Sequence, residues 1–163
     1  MNEAAPALFQ ALEGSSFAAG IRASTWAYMA ANVGHILSLT VFAGAIAVMD
    51  LRMLGVFSAT TPGFVIRKAR TFAGFALLGM AITGSILFSA EASHVALNPV
   101  FQFKVALIVL GLLNVAYFEF FVKSRVANLS PLKPLPREAR FAGIASLTIW
   151  LLVAACGRSI AYF

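Results

Sequence analysis

Charge is scarce in this sequence. Only 11% of its 163 residues are charged and 61% are hydrophobic, whereas soluble domains carry about 25% charged residues. A soluble fold of this length exposes too much of its surface to hide that apolar content, so a bilayer is expected as its solvent. Cysteine is limited to Cys156, which rules out an intrachain disulfide and reads as a small packing residue in an apolar stretch. There is no CxxCH, which excludes covalently attached c-type haem. A glycine-rich phosphate loop, a Ser/His/Asp set and Cys/His zinc spacing are missing as well. The first 20 residues hold neither a basic segment nor an unbroken apolar run, so no cleavable signal peptide is expected.

What the chain does have is four long apolar runs. Residues 26–49 carry no formal charge. At about 1.5 Å per residue they reach about 36 Å, enough to cross a hydrocarbon core about 30 Å thick with some tilt. Trp26 and Tyr28 mark one interface, and Asp50 and Arg52 the other. Further spans are expected over 72–90, 100–122 and 141–157. Asn98-Pro99 supplies an N-cap followed by proline at the first helical position. Thr61-Pro62-Gly63 signals a turn. Pro131, Pro134 and Pro136 make the last connection stiff and non-helical. Before the first span, residues 4–23 place Leu8, Leu12, Phe17 and Ile21 on one side of a helix interrupted near Gly14-Ser15-Ser16. This segment is too short and too polar to span, and reads as an amphipathic helix at the membrane surface. The expected fold is an all-α integral membrane four-helix bundle, up-down-up-down, forming one domain over residues 1–163.

The net charge of +6 is not spread evenly. Nine of the 12 Lys and Arg residues fall in two connections. Arg52, Arg67, Lys68 and Arg70 lie in one, and Lys123, Arg125, Lys133, Arg137 and Arg140 in the other. This is the asymmetry that orients a membrane protein and not a nucleic-acid surface. It places both connections in the cytoplasm of a bacterial inner membrane, with both termini periplasmic.

A polar group in hydrocarbon is costly and needs a partner. His35 lies about 13 Å past Trp26, near the midplane. Asn32 sits three residues earlier and is the expected partner, along with a serine. A haem ligand or a proton relay is the functional alternative. Thr83 and Thr148 can bond their own helix carbonyls, and Asn114 is expected to bridge two helices. Gly34 with Ser38, Gly79 with Thr83 and Ala142 with Ser146 are small pairs that would let helix backbones approach closely. Asp50 and Arg52 are read as a structural latch, Asp50 reaching for example to Arg70. At the opposite end Glu91, His94, Lys104 and Arg158 gather, with Glu91 expected to pair with Lys104 or Arg158. His94 with Glu91 is the weaker metal alternative, short of ligands for a full site. Bis-histidine haem b needs two histidines at one depth. His94 lies on the order of 10 Å or more from the level of His35, which leaves His35 alone, or with Met29 or Met80, as the haem option.

The pieces His35-Ile36-Leu37, Asp50-Leu51-Arg52-Met53-Leu54-Gly55, Thr83-Gly84 with Leu87-Phe88, Asn98-Pro99-x-Phe101-x-x-Lys104, Asn114 and Gly157-Arg158-x-Ile160-Ala161-Tyr162-Phe163 follow one another in order. Together they resemble a family of small bacterial inner-membrane proteins of unknown function. The resemblance runs over nearly the whole chain and implies a four-span membrane protein with no assigned activity. More distantly the chain is similar to copper-resistance membrane proteins and cytochrome b561-type bundles, which carry several intramembrane histidines. The leading expectation is a non-enzymatic accessory or assembly subunit. Its partners would be the bilayer, other membrane subunits or a second copy, with no nucleic acid. A haem b electron-transfer protein using His35 is the alternative, and a metal or small-solute permease using the Glu91/His94/Lys104/Arg158 group comes third.

Overall fold

The computed structural model describes residues 5–162. Ala4 of the expected surface segment and the terminal Phe163 lie outside them. Among the described residues every regular element is helical. Two short helices come first, α1 (Ala7–Glu13) and α2 (Ser16–Ala23). The first long helix, α3, runs over Thr25–Met53 and the second, α4, over Pro62–Ala90. A short α5 (Ala92–Leu97) leads into α6 (Pro99–Tyr117). A π-helical turn over Phe118–Val122 carries α6 into α7 (Lys123–Ala127). The last long helix is α8 (Arg137–Ser159), closed by a 3-10 turn over Ile160–Tyr162. Four continuous helical stretches, Thr25–Met53, Pro62–Ala90, Pro99–Ala127 and Arg137–Tyr162, are long and apolar enough to cross a membrane.

The helix starts follow local chemistry. Ser15 Oγ accepts from the Ala18 N–H and Ser24 Oγ from the Ala27 N–H, each at 3.2 Å. Asn98 Oδ1 accepts from Val100 and Phe101 N–H at 2.9 and 3.2 Å. Pro62 and Pro99 occupy first-turn positions where a missing N–H costs nothing. The spans outrun the sequence boundaries mainly at the basic end. Helix α4 begins at Pro62, ten residues before the expected start, so Arg67, Lys68 and Arg70 ride on a helix and not on a loop. Twenty-nine residues reach about 43 Å, well beyond a hydrocarbon core of about 30 Å. The surplus turns of α4 carry Arg67, Lys68 and Arg70.

The ring order is α3, α4, α6, α8. Helices α3 and α4 pack most closely, α6 pairs with α8, and α8 closes on α3. Between α4 and α6 there is next to no close backbone approach among the described residues. The bundle is two antiparallel hairpins joined through α3 and α8, with a seam between the second and third spans. The apolar core, including Phe42, Ile46, Met53, Val122, Val126, Ala142 and Trp150, occupies the half nearer the basic end. Phe42 and Trp150 meet edge to face at 4.7 Å between ring centroids.

The N-terminal pair of helices caps the opposite end. Phe9 stands edge-on to Phe88 at 5.8 Å. Arg22 Nη1 donates to the Ala90 carbonyl at 2.9 Å, at the C-terminus of α4. The Ser93 N–H in the first turn of α5 donates to Glu13 Oε2 at 2.7 Å. Each charge faces the helix end whose dipole it complements. The Ser93 hydrogen bonds hold the Glu13 carboxyl below the usual carboxylate range. The break at Gly14-Ser15 falls where the sequence places it.

At the basic end the two connections are laced together. The Leu132 N–H donates to Ser58 O at 2.9 Å. Gly63, in the first turn of α4, lies against the end of α7 so tightly that a Cβ would overlap the carbonyl oxygen of Ala127. Backbone on both sides leaves no flexible tip to yield. Gly63→Ala is therefore expected to lower stability by about 1–3 kcal/mol, read as a drop in apparent melting temperature in detergent. An unchanged melt would mean that α4 and α7 do not meet in this way.

Candidate functional site

His35 sits on α3 at a stretch where small residues bring α4 close. Gly34 faces Thr83, and Ser38 faces Gly79, so the two small pairs read from the sequence interlock with each other. Gly84 leaves room for the imidazole, since a Cβ there would lie 3.2 Å from His35 Cε1. His35 Nδ1 is 3.0 Å from Thr83 Oγ1. The Thr83 hydroxyl donates to the Gly79 carbonyl at 2.6 Å. Its oxygen is left to accept, which makes Nδ1–H the donor and gives Nε2 the lone pair. The partner of His35 is thus Thr83, and not Asn32 or a serine. Asn32 is exposed on the outward side of α3 and makes no side-chain hydrogen bond among the described residues. Thr83 bonds its own helix, as the sequence suggests, and accepts from His35 as well.

The group expected at the far end is dispersed. Helix α4 stops at Ala90 and Glu91 begins a new helix, α5, which carries His94. Both side chains are exposed. Arg158 donates to the Tyr162 hydroxyl at 2.5 Å and lies over its ring at 4.7 Å. Lys104 is half-buried, its Nζ 3.3 Å from where a Gly157 Cβ would be. The expected pairing of Glu91 with Lys104 or Arg158 does not form, because the new helix turns Glu91 away and a nearby tyrosine takes the arginine. Among the described residues no three His, Cys, Asp or Glu side chains converge as a metal site would require.

At the basic end the expected Asp50–Arg70 latch is replaced. Arg70 pairs with Glu119, which also binds Lys123. The π turn at Phe118–Val122 offsets the helix by one residue and brings Glu119 between the two cations. Arg52, only 1% exposed, donates to Thr60 O at 2.8 Å and ties the α3–α4 connection to its own helix. Asp50 is wholly buried, and neither carboxylate oxygen has a hydrogen-bond partner among the described residues. The Ser146 hydroxyl of α8 faces it without closing a bond. Asn114 bridges helices as expected, its Nδ2 donating to Ala142 O at 3.1 Å.

Two cavities lie along the α4–α6 seam. One, of about 380 Å³, opens at the basic end and is lined by Arg67, Arg70, Thr71, Phe118, Lys123 and Val126, among others. The other, of about 180 Å³, lies deeper, behind the seam at the bundle centre, where all four long helices line it, including Phe42 and Met49 of α3, Gly74 and Leu77 of α4, Asn114 of α6 and Trp150 of α8. Arg70 and Phe118 belong to both. Nothing in the sequence pattern signals this seam, because it arises from which helices fail to touch.

The model of one family, described as a family of unknown function (DUF6644), matches residues 9–163. No curated protein and no solved structure matches the chain. Residue roles therefore rest on geometry, and Asp50 offers a direct test. A buried charge without a partner destabilises, so the neutral isostere Asp50→Asn is expected to keep the apparent melting temperature or raise it by up to about 4 °C. A fall of that size instead would show that the Asp50 carboxyl is held by a partner, with the facing Ser146 hydroxyl the first to test.

Proposed function

The chain belongs to the family of unknown function whose model it matches, and on that premise we propose that it is a non-enzymatic accessory or assembly subunit of a bacterial inner membrane. In this reading the basic end faces the cytosol and both termini the periplasm, the orientation favoured by nine of 12 Lys and Arg residues lying at one end. The protein acts by seating a neighbouring transmembrane helix and not by turning over a substrate.

Asn32 carries this reading. It is exposed on α3 beside Met29, Val33 and Ile36, which are 44%, 49% and 55% exposed. An apolar stripe with one amide in it, turned toward lipid, leaves a donor and an acceptor with no helix of this chain to meet them. An amide that bonds across transmembrane helices contributes about 1–2 kcal/mol in model peptides. Another subunit's helix, or the same face of a second copy, would supply the bond. In mildly solubilised membranes the chain is expected to migrate in a complex larger than its monomer. Asn32→Leu should weaken that complex about tenfold and Asn32→Gln should largely retain it. A monomeric wild type would overturn the reading, and an Asn32→Leu complex as tight as wild type would remove Asn32 from it.

One observation favours a second reading, haem b held by His35. The bond to Thr83 orients the ring and leaves Nε2 with its lone pair, the arrangement a ligating histidine needs. Protein purified from haem-supplemented cells would then show a Soret band that His35→Ala removes. Colourless, stable wild type would end this alternative.

A further inference from the structure

We propose that the α4–α6 seam binds one anionic phospholipid, its phosphate at the basic mouth and an acyl chain in the apolar cavity behind. This goes beyond the accessory-subunit reading and uses a different face from Asn32.

The mouth is built for an anion. Arg67, Arg70 and Lys123 line the outer cavity. Glu119 engages Arg70 and Lys123, while Arg67 has no ion pair among the described residues. One carboxylate against three cations leaves a net charge of +2 around a space of about 380 Å³. The surrounding positions lie at the end of the bundle where nine of the 12 Lys and Arg residues collect, the level at which lipid headgroups meet a membrane protein. Arg67 and Arg70 belong to α4 and Lys123 to α7, so the cations are presented from both sides of the seam. Thr71 adds a hydroxyl to the lining.

The space behind the mouth suits a chain. From Arg70 to Leu77 the seam runs about 10 Å along α4. The cavity there is walled by Gly74, Leu77, Val115 and Phe118 on the seam side and by Phe42 and Trp150 of α3 and α8 behind. Gly74 has nothing within 4 Å of where its Cβ would be. The far end of the seam is closed, because Phe88 and Phe101 stack at 5.2 Å. A molecule with an anionic head and an apolar tail therefore fits this groove in one orientation. A free phosphate would use only the mouth, and a neutral lipid only the cavity.

Native mass spectrometry of the full chain, offered phosphatidylglycerol or phosphatidylcholine with matched acyl chains, tests this. Wild type is expected to retain one phosphatidylglycerol in clear preference to phosphatidylcholine. Arg67→Ala and Lys123→Ala should each cost about fivefold in that preference. Gly74→Leu, which fills the cavity without touching the charges, should reduce retention of the lipid while soluble glycerol phosphate binds as weakly as before. Arg137→Ala, an exposed cation at the same end but outside the cavity, should change neither. Equal retention of the two lipids by wild type overturns the proposal without reference to any variant. So does glycerol phosphate competing as well as the intact lipid, or Arg137→Ala losing as much as Arg67→Ala.

Discussion

The close pairing of α3 with α4 is the constraint on which the bundle depends. In lipid there is little hydrophobic gain in bringing two helices together, so small residues and short polar bonds must supply the attraction. Here Gly34 lies against Thr83, Ser38 against Gly79, and His35 against Gly84 while bonding Thr83. The imidazole fits because a side chain is absent opposite it. With this hairpin fixed, α8 can pack on α3, and α6 on α8, through the aromatic and aliphatic core around Trp150. Gly111 serves the same purpose there, since a Cβ on it would come within 2.8 Å of the Trp150 ring.

The remaining polar parts fasten ends. Arg22 and Glu13 lie 68 and 80 positions from the groups they bind, and they pin the N-terminal helices over the junction of α4 and α5. Arg52, the Leu132–Ser58 bond and the Glu119 pairs do the same at the basic end. Polar side chains are thus used sparingly, and mostly where a backbone or a headgroup can answer them. Asn32 and Asp50 depart from that economy in opposite ways. One is exposed on the outer face of α3 and the other is sealed inside, and neither side chain has a hydrogen bond among the described residues.

Much of the architecture was legible in the sequence. Apolar length gave the four spans, the Asn98-Pro99 cap gave the start of the third, and the Gly14-Ser15 break gave the two-part N-terminal segment. The helices extend further than hydropathy implied because charged turns beyond the hydrocarbon remain helical, as Pro62 through Thr71 shows. The resemblance to an uncharacterised family holds over nearly the full length. Pairings were harder to read. Asp50 with Arg70, and Glu91 with Lys104 or Arg158, were reasonable by charge and depth. They fail because rotation about each helix axis, and a new helix beginning at Glu91, are not encoded in simple spacing. Thr83 was read as satisfied by its own helix, yet a hydroxyl that donates can still accept, and His35 uses that capacity. The seam depends on helices that stay apart, for which a linear pattern has no signature.

The third span keeps its inward stripe only by a local change of pitch. Leu107, Gly111, Phe118, Val122 and Val126 all point into the protein, and the first and last are 19 positions apart, one more than five α-helical turns of 3.6 residues contain. The π turn absorbs that extra position. Two stretches of one rod therefore have separate phases. The upstream stretch is set against α8 and the downstream stretch against the start of α4, and an adjustment in one need not twist the other.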